Sequence, residues 1–246
     1  LEQGRGSATW WDHFLTPFFD PFVAYVKHPP RPTFAAYLAP LMLFMLVVFI
    51  CGYWLLSSSW YLEETLAKME QAAVTPEEHE RAERTREGLT YLSANPGMRM
   101  LLSAQTALSV ARSLAVWLCV VWLLLSFISD RWHTVPQFWL LSTGSLAILT
   151  AAALVNTLLK LLLLRPVAAL GAPLLFDSPQ HNSTLHTLLV QCDFLLWYSF
   201  ALLSHRTSGL FGERPVTIFL SAFGAWIVLV LILRVLFGIN TSLTLN

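Results

Sequence analysis

The chain has 246 residues, fifteen basic and fifteen acidic, so its formal charge is zero. Hydrophobic residues make up 56% and charged residues only 12%, about half the share in soluble domains. Mean hydropathy is +0.59. These values exclude a disordered chain and argue against an ordinary soluble domain. The neutral balance argues against a nucleic-acid partner, which needs a basic face.

The chain begins at Leu1, so residues 1–8 carry no weight in this reading. The first apolar segment is aromatic and amphipathic and contains acids, unlike a signal peptide. Trp11, Phe14, Leu15, Phe18, Phe19, Phe22 and Val26 repeat at three- and four-residue spacing. One helical face is therefore apolar. Pro17 and Pro21 interrupt it. The segment is too short and polar to span, so we expect an interfacial helix lying on the membrane. A helix packed on the spans fits the same pattern.

A spanning helix needs about 20 apolar residues to cross about 30 Å of hydrocarbon. Five runs qualify: Phe34–Leu56, Leu108–Ile128, Phe138–Leu164, His186–Ser204 and Val216–Ile239. The fourth is the shortest and most polar. No strand alternation suggests a barrel, and backbone groups in lipid require helices. Pro32, Pro136, Pro166 and Pro215 stand at span ends, where a missing amide is harmless.

Between the first two runs lies a polar insert, Tyr61 to Met100. It holds thirteen of the thirty charges, eight acidic and five basic. Glu63–Ala73 reads as one short helix. Thr75-Pro-Glu-Glu78 starts a second, with Thr at the N-cap, Pro at N1 and Glu78 in the capping-box position. Asn95-Pro-Gly97 ends it. The expected architecture is an all-α integral membrane protein with five transmembrane helices. It includes an N-terminal interfacial amphipathic helix in residues 1–33. A five-span domain follows in residues 34–246, with an extramembrane helical hairpin between spans one and two.

This layout resembles the bacterial branch of the Yip (Rab/Ypt-interacting) family of polytopic membrane proteins. The resemblance rests on Phe22 to Lys27 with Pro29-Pro-Arg-Pro-Thr33 before span one. It rests also on the Glu-rich insert, Leu66-Ala-Lys-Met-Glu70 and Thr75-Pro-Glu-Glu78, and on four closely spaced spans after it. It covers about residues 21–239. The DLYGP-like and Gly/Tyr-rich motifs of eukaryotic members are absent, and Gly171-Ala-Pro173 is a distant echo, so Rab recruitment does not carry over. The resemblance implies a five-span, non-enzymatic protein of the bacterial inner membrane with a cytoplasmic N-terminus. In the short loops Arg131, Arg206 and Arg214 oppose Arg165, which points the same way.

The ionisable residues inside spans are Arg112, Lys160, Asp193 and Arg234. Alternating spans run in opposite directions, so all four fall toward one membrane face. Each is costly against lipid, and a shared patch is expected, with Asn156 and Gln191 able to join it. Asp193 is the single acid and would pair with Lys160, Arg234 or Arg112. The remaining cations could take a lipid phosphate. The rival reading is that Arg112, Lys160 and Arg234 snorkel to the headgroups.

Asp177, His181 and His186 cluster in the loop between spans three and four, but their spacing fits no ligand pattern, and no metal is expected. Cys51, Cys119 and Cys192 sit in separate apolar runs and read as packing residues. No phosphate loop, nucleophile elbow or HExxH motif points to an enzyme, and no cofactor pattern appears. The expected role is a membrane scaffold or assembly partner, bound to lipids and to a protein partner or a second copy. The alternatives are an accessory subunit of an energy-converting complex and a lipid-handling or transport protein.

Overall fold

The structure is a computed structural model describing residues 34–72, 76–132, 135–165, 170–171, 188 and 191–237. The expected N-terminal amphipathic helix and the residues Asp177, His181 and His186 lie outside the described residues. The described chain is all-helical. Its elements are α1 (Phe34–Leu56), α2 (Ser59–Ala72), α3 (Pro76–Ala94), α4 (Pro96–Ser129), α5 (Val135–Leu163), α6 (Phe194–Phe211) and α7 (Pro215–Phe237).

Four of them, α1, α4, α5 and α7, are long and apolar enough to cross a membrane. Helix α1 coincides with the first expected span. Helix α4 is longer than the expected Leu108–Ile128, because Asn95 starts it early. The Asn95 side chain accepts from Gly97 N at 3.1 Å, and Pro96 occupies the first turn, where it loses no bond. At 34 residues, α4 is about 51 Å long, far beyond the hydrocarbon thickness.

The fourth span differs most from expectation. The helix is Phe194–Phe211 and not His186–Ser204. It starts late because Asp193 is extended (φ −94, ψ 123) and caps it. It runs on through Gly209 to Gly212, which ends it in the left-handed region at φ 71. Its polar residues are tolerated because protein covers them: Ser199, Ser204, Arg206 and Thr207 are all buried. Their neighbours are α5 and α7.

The five longest-range helices close into a ring. Helix α1 packs on α4 and α5, α6 packs on α5 and α7, and α7 packs back on α4. Helices α4 and α5, consecutive in sequence, barely touch. Trp117 of α4, Phe200 of α6 and Trp226 of α7 fill the middle, each fully buried. Trp117 lies 4.8 Å from Phe200 and 6.2 Å from Trp226, centroid to centroid. Such offset and edge contacts suit the aromatic quadrupole.

Indole donors stitch the ring. Trp117 Nε1 donates to Ala222 O of α7 at 3.0 Å, and Trp139 Nε1 of α5 donates to Tyr37 O of α1 at 3.2 Å. Facing α5 and α6, hydroxyls of Ser142, Thr143, Ser145, Thr150, Ser199, Ser204 and Thr207 donate to carbonyls three or four residues earlier. They are thereby satisfied without leaving their own helix, and the small side chains let the two backbones approach.

The polar insert forms α2 and α3, which pack on one another. Helix α3 is largely solvated, with an exposed Arg84–Glu80 pair at 2.6 Å. Such a pair contributes at most about 0.5 kcal/mol. The last residues of the insert, from Pro96, belong to α4.

Candidate functional site: a buried polar cluster where α5 meets α6

Asp193 is 0% exposed and sits at the start of α6. It is therefore not two helical turns into a span, as the sequence suggested. Among the described residues, two donors meet its carboxylate. Leu195 N donates to Oδ1 at 2.8 Å, which caps the helix, and Asn156 Nδ2 of α5 donates to Oδ2 at 2.8 Å. An anion at this position also faces the positive end of the α6 dipole.

Asn156, likewise 0% exposed, serves both ends of the α5–α6 connection. Its Oδ1 accepts from Leu170 N at 3.2 Å. Leu170 O in turn accepts from Phe194 N at 2.8 Å, and Gly171 bridges to Asp193. Only glycine fits at 171, because a Cβ there would run into Cys192 O. Gln191 extends the cluster to α7: its side-chain carbonyl accepts from Trp226 Nε1 at 2.9 Å, and its backbone carbonyl accepts from Trp197 Nε1 at 3.1 Å. Irregular backbone inside a membrane bundle needs internal partners of this kind.

The other expected members divide. Lys160 stands one turn beyond Asn156 on α5, is 2% exposed, and lies within electrostatic range of Cys51 on α1. Arg234 is partly buried in the last turn of α7. Arg112 does not belong to the interior. It is exposed on α4, because the inward stripe there is Ala107, Val110, Ala111, Leu114, Trp117, Leu118 and Val121. Residue 112 falls about 100° off position 111.

Arg206 was expected in a loop, and instead it is buried in α6. Its guanidinium rests against Gly144 of α5, where any Cβ would collide with Nη1. The signal in the sequence was Gly144 itself, an isolated glycine in a helical run, where a close neighbour is a usual reason. At the far end of α6, Arg131 Nη1 donates to Leu210 O at 2.8 Å. Helix α6 thus carries an anion at its N-terminus and a cation at its C-terminus, both matched to its dipole.

Among the described residues no group of three or more His, Cys, Asp or Glu side chains could hold a metal. No protein family matches the chain, and no curated protein or solved structure matches it.

Proposed function

We propose that the chain is a five-span, Yip-type protein of the bacterial inner membrane that acts without catalysis as a scaffold or assembly partner. The carrying observation is the filling of the ring. Trp117, Phe200 and Trp226 occupy its middle, where a transport path would need polar groups or a lumen. Helix α6 is a span as well, the fourth in chain order, beside the four long apolar helices. Its place between α5 and α7 supports this, as do its self-satisfied hydroxyls. The insert α2–α3 is extramembrane, on the side opposite a cytoplasmic N-terminus, in keeping with its exposed charges.

The outer surface supplies the contact area. Helix α1 shows a ridge of Leu38, Met42, Leu46, Ile50 and Trp54, between 38% and 55% exposed. Four-residue spacing makes each a neighbour of the next in a row that winds obliquely round the helix, beside the buried Phe44, Val48, Cys51 and Leu55. The polar cluster at Asn156, Gln191 and Asp193 fixes how α5, α6 and α7 meet, and so holds the shape of that surface. Extraction in a gentle detergent followed by mass measurement tests the reading. A protein mass well above the 27.7 kDa of one chain is expected. A single chain at every detergent-to-protein ratio would reject it.

A further inference from the structure

At the junction of α1 and α4, the Arg99 guanidinium carbon stands over the Tyr53 ring, 5.6 Å from its centroid. Tyr53 lies one turn before the end of α1, and Arg99 lies in the first turn of α4. The two helices are close here: Gly52 faces Ser103 at ordinary contact distance. Arg99 is half-buried, and among the described residues its buried Nε has no hydrogen-bond partner. Among the described residues no carboxylate pairs with it.

Arg99 is also the boundary charge of α4. After it, no charged residue occurs until Arg112. Beside it the surface turns apolar. Ile50 and Trp54 on α1, and Met100 on α4, are each at least half exposed. An arginine seated over an aromatic ring by its charge keeps its hydrogen-bond donors for another partner. At a membrane boundary those donors meet phosphate, for which a guanidinium offers paired hydrogen bonds. The apolar side chains next to it are placed to take acyl chains.

We infer that Arg99, seated on Tyr53, binds the phosphate of an anionic lipid at the α1–α4 junction, with the acyl chains along Trp54 and Ile50. The inference rests on the membrane reading above. It uses none of the residues of the Asn156–Asp193 cluster.

The test uses the whole chain purified in detergent and stripped of lipid. Its thermal unfolding is followed on addition of phosphatidylglycerol, phosphatidylcholine or inorganic phosphate. Phosphatidylglycerol should raise the midpoint, and phosphatidylcholine should do so less. Inorganic phosphate should leave it unchanged. In Arg99→Gln the half-saturating concentration of phosphatidylglycerol should rise about tenfold, the loss of one charge-assisted contact. Arg99→Lys should restore part of the response. If Arg99→Gln does not fold, Tyr53→Leu provides the readout, because it leaves the charge and removes its seat; the same concentration should rise severalfold. A variant response equal to that of the original chain would overturn the site, and equal stabilisation by inorganic phosphate would overturn the lipid. Fractionation without detergent separates the two levels of the argument. Recovery in the soluble fraction would defeat the membrane reading itself. Recovery in membranes with an indifferent Arg99 would defeat only the lipid site.

Discussion

Asn156 donates to Asp193 across 2.8 Å, and neither side chain is exposed at all. The bond ties the last third of α5 to the residue that caps α6. It also holds Leu170, so one amide side chain closes the connection between two helices.

Asp193→Ala removes the cap and leaves the Asn156 donor without its acceptor. Unfolding in detergent should become easier by about 1–3 kcal/mol. Asp193→Asn keeps an oxygen for Leu195 N but turns a donor toward the Asn156 donor, so it should cost less than alanine and more than nothing. The coupling between the two side chains should be near 0.6 kcal/mol, the usual size between spanning helices. A double-mutant cycle in thermal unfolding measures it, and a coupling of zero would mean that the two residues act separately.

Gly144→Ala should destabilise by about 1–3 kcal/mol, because the added carbon meets the Arg206 guanidinium. Arg206→Ala should make the same glycine change nearly harmless. Additive effects of the two substitutions would show that the side chains do not meet.

Trp226→Phe deprives the Gln191 carbonyl of its donor and should cost about 1–3 kcal/mol. Adding Gln191→Leu should return part of that, since an apolar pair leaves no unpaired group. Trp117→Phe loses its bond to the Ala222 carbonyl, which keeps its helical partner, and should cost less. The order of the two losses, read from unfolding midpoints, is the check.

The native cysteines report the two sides of α1 and α4. Cys119 is exposed on the outer face of α4, and Cys51 is buried. A membrane-soluble maleimide should label Cys119 in vesicles, a charged one should not, and Cys51 should react with neither. Rapid labelling of Cys119 by the charged reagent would place that face in water.

Glu80, exposed on α3, tests the orientation. In Glu80→Cys an impermeant thiol reagent should reach the side chain from outside intact cells. Labelling only after lysis would reverse the topology.

Helix ends set by strong local chemistry were readable from the residues alone. Phe34–Leu56 and the Pro76 start of α3 fall where apolar length and capping signals place them. What lay hidden was facing. On α1 both the buried row at Phe44, Val48 and Cys51 and the exposed row at Met42, Leu46 and Ile50 are apolar, so no periodic contrast told inside from outside. Asp193 misled for a related reason. Apolar residues on both sides of it hid a helix start, and only its bonds to Leu195 and Asn156 reveal the cap. Arg206 looked like a loop charge because its counterpart in space, Gly144, is 62 positions away in the chain.

The ring order has a consequence for how the protein is made. A ribosome delivers α1, α4 and α5 first, but α5 settles on α1 and leaves the Trp117 side of α4 open. Phe200 of α6 covers part of that side, and it is closed when α7 arrives, since Ala222 of α7 receives the Trp117 indole. Until then a half-made chain leaves part of an aromatic flank and its indole donor uncovered. Closure therefore waits for the last helix, and a chain cut short before Pro215 carries the sign of its own incompleteness.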